Sequence, residues 1–361
     1  MVGMRDVAKE AGVSLSTVSL VVNKTGYVSD DMRARVKAAM KELNYVPNEL
    51  ARNLYKNRTN LVGVIVPTIR HPFFATLTAH LQRELAAQGL RTMLCSTADA
   101  ENGEVEYVDM LRRHMMDGII VCSHTTHPND YWTSIHRPIV AFDRVLGGGI
   151  ASIGSDHEQG GRLMAHMLVN TGAHHVVMIG GPRDQFFDLA ERNGDSPDDF
   201  DLHKTTFPAV RYYLTLEQEL KAAGVRYEYV EAGNVEDFQG YKNAVNAVLN
   251  SMPVDGVDAV VSSDIGAALC VREAMRRHIS IPRDLQIIAY DGTYLTDLAG
   301  MKMTAVAQNF DKIAQVAVGN IVRAIAKEGD AKADTTSATG RKPYEPDVLI
   351  PVTLKLGDTT R

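Results

Sequence analysis

GVSLSTVSLVVN, residues 12–23, decides how the rest of this 361-residue chain is read. Gly12 can take the left-handed backbone that ends a helix, and the segment before it, Arg5 to Ala11, sets Val7, Ala8 and Ala11 on one helical face. Ser14 has the hydroxyl of an N-cap for a second helix running to about Val22. A third helix begins at Ser29, where Asp30 and Asp31 complement the positive end of the dipole and Met32, Val36, Met40 and Leu43 recur at helical spacing. A helix, a glycine turn and a second helix occur in many unrelated proteins, so the pattern alone leaves open an ordinary helical head and a DNA-reading one.

Charge distribution favours the second. The formal net charge is −6, but residues 1–58 hold ten Lys/Arg against six Asp/Glu, or +4, and the remainder holds 28 against 38, or −10. A basic head is joined to an acidic body. Helix-turn-helix docking sets the start of the second helix against base edges while hydroxyl and basic side chains hold phosphates, a pattern that Ser16, Thr17 and Ser19 suit.

After the polar run KNRTN, residues 56–60, the periodicity changes. LVGVIV, RTMLCS, DGIIVC and PIVAFD read as buried strands with helices near 74–88 and 103–115 between them. HVVMIG, YEYV, DAVVSS and LQIIAY repeat the alternation, with helices near 157–170, 236–250 and 264–277. Two successive units of this kind predict two doubly wound lobes with a cleft between them, and ligands bind at the carboxyl ends of such strands. Thr68 to Phe74, Asp143, Ser263, Asp264 and Asp291 stand at those ends.

Other function classes find little support. No GxGxxG opens a helix after a strand, there is no P-loop, and the twelve histidines show no HxxxH spacing, so neither an enzyme nor a metal site is expected, and no cofactor is implied. Cys95, Cys122 and Cys270 sit far apart in apolar segments and read as reduced core residues. A periplasmic sugar-binding protein would share the two-lobed body. The opening MVGMRDVAKEAG, however, places charges where a signal peptide needs an unbroken apolar stretch, so a cytoplasmic location and no membrane association are expected.

MRDVAKEAGVSLSTVSLVVN and GYVSDDMRARVKAAMKELNYVPNELARNL strongly resemble the DNA-binding head of the lac-repressor (LacI/GalR) family of bacterial transcription regulators. The likeness continues through VGVIVPTIRHPFFATL, AFDR, GSDHEQGG, MIGGP, VSSDIGAALCVREAM, IPRDLQIIAYDG and AVAQNF, over nearly the whole chain. It implies the fold class α/β: an N-terminal helix-turn-helix head plus a two-lobed, periplasmic-binding-protein-like body with two doubly wound parallel sheets. The implied parts are a DNA-binding domain at 1–46, a hinge helix and linker at 47–60, a first lobe from 61–158 and 306–330, and a second from 159–305 and 331–361.

The resemblance implies DNA contacts from Arg5, Ser14, Leu15, Ser16, Thr17, Ser19, Leu20, Asn23, Tyr27, Asn48, Ala51, Arg52 and Leu54. Leu54 stands where the family wedges an apolar side chain into the minor groove, and such a side chain can kink the duplex by partly unstacking a base step. Leu20 departs from the family, which usually has an arginine there. Leucine cannot donate to guanine but can meet a thymine methyl, so a shifted base preference is expected at one half-site position.

For the effector cleft the resemblance implies Phe73 and Phe74 packing on a ring, Asp143, Ser263 and Asp291 at hydroxyls, and Gln308 and Phe310 at the lobe crossover. The stretch FFDLAERNGDSPDDFDLHKTTFPAVRYYLTLEQEL is longer than the family's, so the ligand-clamping arginine is Arg211 or Arg192, with Arg211 preferred as nearer the start of a helix. Val235 replaces a frequent aromatic. The expectation is a homodimeric repressor of carbohydrate-utilisation genes, binding a pseudo-palindromic double-stranded operator under control of a sugar-type effector. The alternative is a regulator corepressed by a purine or another metabolite, and a cytosolic sugar-binding protein or sugar-processing enzyme is a remote one. EGDAKADTTSATGRKPYEP reads as a loop and DVLIPVTLKLGDTTR as a last strand, without the leucine heptads of a tetramer-forming tail.

Overall fold

A computed structural model describes residues 2–47, 58–98, 100, 102–125, 127–186, 205, 207–234, 237–329 and 346–361. The chain divides into two compact units, Met1–Asn60 and Leu61–Arg361.

In the first unit α1 (Met4–Ala11) ends at Gly12, whose φ of 60° is left-handed. A side chain there would also press a Cβ to 2.8 Å from the Arg35 guanidinium. That guanidinium donates to the carbonyls of Ala11 at 2.7 Å and Gly12 at 3.0 Å, satisfying acceptors the helix end leaves open. Ser14 caps α2 (Leu15–Asn23) by accepting from the Thr17 N–H, and Ser29 caps α3 (Asp30–Glu42) by accepting from the Met32 N–H. Val7, Ala11, Val18, Val21, Val28 and Val36 close a small core of their own.

The second unit holds two six-stranded sheets. The elements of the first are β1 (Leu61–Val66), α4 (Pro72–Ala87), β2 (Arg91–Ser96), α5 (Glu104–Arg112), β3 (Gly118–Val121), α6 (Asn129–Thr133), β4 (Ile139–Phe142) and β5 (Ala151–Ser155). The second is built from α7 (His157–Asn170), β6 (His175–Gly180), α8 (Val210–Ala222), β7 (Arg226–Glu231), α9 (Phe238–Asp255), β8 (Ala259–Ser263), α10 (Asp264–Arg276), β9 (Gln286–Asp291), α11 (Leu295–Leu298) and β10 (Thr304–Ala307). Then follow α12 (Phe310–Gly329), β11 (Val348–Ile350) and β12 (Thr353–Lys355). Strand orders are β11-β5-β4-β3-β1-β2 and β12-β10-β9-β8-β6-β7, parallel except for the β10–β12 pair.

Each sheet is covered on both faces, which is why central strands such as β1, β3 and β6 are near-continuous buried runs. One face of the first sheet packs Leu77, Leu81 and Leu85 of α4 with Ile313, Ala317 and Ile321 of α12, and the other packs Val108 and Leu111 of α5 with Trp132. In the second sheet Met164 and Leu168 of α7 meet Leu216 and Leu220 of α8 on one side, and Val245 and Val248 of α9 meet Cys270 and Val271 of α10 on the other.

The expected lobe boundaries need correcting at two places, and one strand inside the first lobe was missed. β5 does not stand out in the sequence because ASIGS lacks an apolar run, yet it pairs with β4. The segment expected to start the return to the first lobe at 306 begins with β10, which pairs with β9 in the second sheet, and only α12 returns. The expected single last strand in the second lobe is two strands: Val348–Ile350 joins β5 in the first sheet and Thr353–Lys355 joins β10 in the second. Pro351 lies between them and has no N–H for a ladder, so the apolar run breaks there. The chain thus passes between the lobes after β5, after β10 and again at Pro351. Among the described residues no helix is long and apolar enough to cross a membrane.

Candidate DNA-reading helix and ligand cavity

In the head, Val18 and Val21 turn one face of α2 inward, and the helical period then leaves Leu15, Ser16 and Ser19 on the other. Leu15 is 42% exposed and Tyr27 is 92% exposed, large surfaces for side chains with apolar bodies. Ser14 Oγ lies 2.7 Å from Ser16 Oγ and 2.8 Å from Thr17 Oγ1, and the Asn23 amide donates to Ser19 Oγ at 3.2 Å. These hydroxyls are held by one another at the start of the helix, while Arg5 is exposed on α1. Leu20 is half-buried and packs against the head core, close to Gly26, so part of its surface is committed to packing. Asn48, Ala51, Arg52 and Leu54, the expected hinge contacts, lie outside the described residues.

In the body, a cavity of about 320 Å³ lies where the strand ends of the two lobes converge. Phe73, Phe74, Asp143, Ser263, Asp291 and Gln308 all line it. Two of them sit at the ends of strands in unusual backbone: Asp143 after β4 has φ 48°, and Asp291 at the end of β9 has φ 118°. Left-handed backbone is disfavoured for a residue with a Cβ, and its occurrence at matching places in both lobes marks strain concentrated at one site. Ser263 precedes α10 as its N-cap residue, makes no side-chain cap bond to the helix, and lines the cavity.

A buried network joins the two aspartates. Asp143 Oδ1 accepts from the Ser155 N–H at 3.1 Å, and Oδ2 lies 3.0 Å from His157 Nε2. A carboxylate accepts, so His157 donates from Nε2 and its Nδ1 accepts the Tyr290 hydroxyl at 2.7 Å. The Ser155 hydroxyl donates to Gln308 Oε1 at 2.6 Å, and Gln308 Nε2 donates to Asp291 Oδ1 at 2.9 Å. Tyr212 stacks on Tyr290 with centroids 3.7 Å apart and planes within 7°. At the mouth, Phe207 of the second lobe stacks on His124 of the first and lies beneath the Arg144 guanidinium, which also donates to the carbonyls of Ser123 and Asp143.

Two expectations meet a different geometry. Arg211 is buried but does not line the cavity; Tyr212, the next residue of α8, does. Successive helical residues point about 100° apart, so a placement one residue off exchanges a guanidinium for a phenol. Phe310 stands behind the wall rather than in it, packing on Phe73 with centroids 5.6 Å apart within the first-lobe core. Arg192 and Val235 lie outside the described residues. His71 stood within the strand-end stretch Thr68 to Phe74 without a role of its own, while Arg144, His157, Tyr212 and Tyr290 were missed. The strand-end rule could have found Tyr290, the last letter of LQIIAY, and His157, just past β5, had β5 been identified.

Burial sets the electrostatics. It raises the Asp264 carboxyl to about 6, against hydrogen bonds from Thr293 and Gly292 that pull it down. Burial and the neighbouring Asp264 charge together raise Asp291 well above 3.8. Cys122, also in the wall, is pushed up to about 12 by burial and is an inert thiol.

Both aspartates thus have folded-state values above their unfolded ones. The stability they contribute is fully present below 3.8 and is lost as pH rises through about 6 and beyond. Asp291→Asn removes the carboxyl that burial and the Asp264 charge raise, and with it that group's own share of the pH dependence, so the unfolding free energy of the body should fall less in the variant between about pH 4 and pH 7. Denaturant melts of both proteins across that range check this, and parallel pH curves would contradict it. Among the described residues no group of three or more His, Cys, Asp or Glu is placed to hold a metal ion.

The model of the bacterial regulatory proteins of the lacI family matches residues 3–48, and that of the periplasmic binding proteins and sugar-binding domain of the LacI family matches 59–194. A periplasmic binding protein-like domain model matches 165–360. The chain is 31% identical to the sucrose operon repressor of Streptococcus mutans over 99% of its own length and 98% of that protein. It is 33% identical to the ribose operon repressor of Bacillus subtilis over 81% of its length and 82% of that protein. The structure of the lac repressor dimer bound to operator and the anti-inducer ONPF superposes with a TM-score of 0.77 at 21% identity, covering 99% of both chains.

Proposed function

The chain belongs to the lacI family of bacterial regulatory proteins and is a DNA-binding transcription regulator, and from that footing we propose that it represses carbohydrate-utilisation genes under the control of a sugar effector. It works as a cytoplasmic homodimer whose two heads read a pseudo-palindromic operator, because two-fold symmetry in the protein is mirrored in the DNA. Arg5 and the outer face of α2 make the head contacts; Asn48, Ala51, Arg52 and Leu54 supply those of the hinge.

The observation that carries the sugar reading is the cavity between the lobes, with one strained aspartate from each lobe and aromatic rings between them. A carboxylate accepts from two adjacent hydroxyls while an aromatic face covers the C–H side of a pyranose, so Asp143, Asp291, Phe73 and Phe74 form complementary walls. Binding there favours one orientation of the lobes, and operator affinity changes by the coupling free energy, typically ~1–3 kcal/mol, with the operator changing effector affinity by the same factor. The density of rings, with Tyr212, Phe207 and His124 beside the two phenylalanines, suits a purine as the second reading.

A thermal-shift panel of mono- and oligosaccharides, sugar phosphates and purines separates the two, since a ligand at about 100 times its Kd adds ~2.7 kcal/mol to stability. A neutral sugar should shift the body's melting; a shift by purines alone would replace the sugar reading. Selection from random DNA tests the head. Leu20 should shift the base preferred at one position of each half-site away from guanine, and recovery of a half-site that keeps guanine there would refute that role.

A further inference from the structure

Among the polar side chains of the cavity wall, His71 has an unmet donor. It is only 4% exposed and stands at the N-cap of α4, where Nδ1 accepts the Phe73 N–H at 3.3 Å. A neutral imidazole that accepts at Nδ1 carries its proton at Nε2. Burial lowers its pKa to about 4, which keeps the ring neutral at physiological pH. The edge of Phe74, with centroids 5.8 Å apart and planes at 62°, holds the ring in place. Nε2 is buried and has no hydrogen-bond partner, although His71 lines the cavity. Buried donors in native proteins are nearly always satisfied, and one left open in a ligand cavity is met when the ligand arrives.

We propose that His71 is a ligand-recognition residue whose Nε2–H, fixed by the cap bond at Nδ1, donates to an oxygen of the bound sugar. This rests on the reading of the cavity as a sugar-effector site. It adds a capability that Asp143 lacks. An ionised carboxylate recognises only groups that donate, whereas a fixed N–H recognises an oxygen without a hydrogen, the ring or glycosidic oxygen of an acetal.

The test uses the full chain and His71→Asn, which keeps a cap acceptor but has no second ring nitrogen. Sucrose and D-ribose are titrated into both proteins by calorimetry, and long-range ¹H–¹⁵N spectra report the imidazole tautomer of the wild type. The ring should be the Nε2–H tautomer without ligand, its Nε2 resonance should move when the binding sugar is added, and that sugar should bind the variant ~10-fold or more weakly. Equal affinity in the variant, an Nδ1–H ring, or a resonance that ignores the bound sugar would overturn the proposal. If His71→Asn does not fold, His71→Ser, another capping residue, takes its place. If neither sugar binds the wild type, it is the sugar reading that fails for these probes. The ligand-free tautomer then decides the assignment of the donor, with Nε2–H upholding it and Nδ1–H overturning it.

Discussion

Removing residues 1–60 is expected to abolish operator binding, with a loss of ~10³-fold or more, while sugar affinity stays within about twofold. The head has its own core of small aliphatic residues and its own caps, and the body has its cores on the two sheets, so neither hydrophobic cluster includes residues of the other. The head also carries the net positive charge, and phosphate contacts with release of condensed counterions supply much of a protein's affinity for DNA. What remains is a body of net charge −10, which repels a polyanion. Fluorescence anisotropy on the selected operator, run at several salt concentrations beside calorimetry with the identified sugar, checks both halves. Operator binding by the truncated protein would overturn the division of labour, and loss of sugar binding would show that the body depends on the head.

Asp143→Asn should weaken sugar binding by ~10- to 100-fold and leave the fold nearly as stable, because the surrounding network can reverse. In the wild type the protons point one way: His157 donates to Asp143 and the Tyr290 hydroxyl donates to His157. With asparagine, the new amide N–H can donate to His157 Nε2, the imidazole proton moves to Nδ1, and that N–H donates to the Tyr290 oxygen. The Ser155 N–H keeps its acceptor in the amide oxygen. His157 and the Ser155 N–H then keep partners and the Tyr290 O–H gives up its acceptor, so what is chiefly lost is the charged acceptor for ligand hydroxyls. Asp143→Ala should behave differently, leaving the His157 Nε2–H and the Ser155 N–H without acceptors and destabilising the body by roughly 1–3 kcal/mol for each. Calorimetry and denaturant melts on both variants separate the outcomes. Wild-type sugar affinity in Asp143→Asn would remove this residue from the effector site, and a collapse of stability in that variant would show that the relay cannot turn round.

The departures from the sequence reading share a physical origin. Head and sheets were legible because their signals are local: a capping serine, a glycine at positive φ, and apolar runs bounded by polar loops all act over a few residues. β5 and the split at Pro351 were not, since Ala151–Ser155 has no apolar run and Val348–Ile350 is separated from its sheet partner by nearly two hundred residues. Only pairing identifies such strands. The cavity followed the same rule. Asp143, Ser263 and Asp291 were found because the strand-end argument needs only the position of each strand. Arg211 and Tyr212 were exchanged because the choice between adjacent helical residues depends on the rotation of α8 against α7, which no local pattern specifies.

By itself, then, the sequence determined that a basic helix-turn-helix head precedes an acidic body of two doubly wound lobes, and which strand ends face the cleft. Those properties follow from periodicity, capping and charge, each encoded by neighbours in the chain. The tertiary structure alone decided how the cleft is wired: that Asp143 and Asp291 are joined through Ser155 and Gln308, that His157 links Asp143 to Tyr290, and that His71 Nε2 is buried without a hydrogen-bond partner. Ser155 and Gln308 are 153 residues apart, and a hydrogen bond at that separation forms or fails with the placement of whole lobes to within a fraction of an ångström.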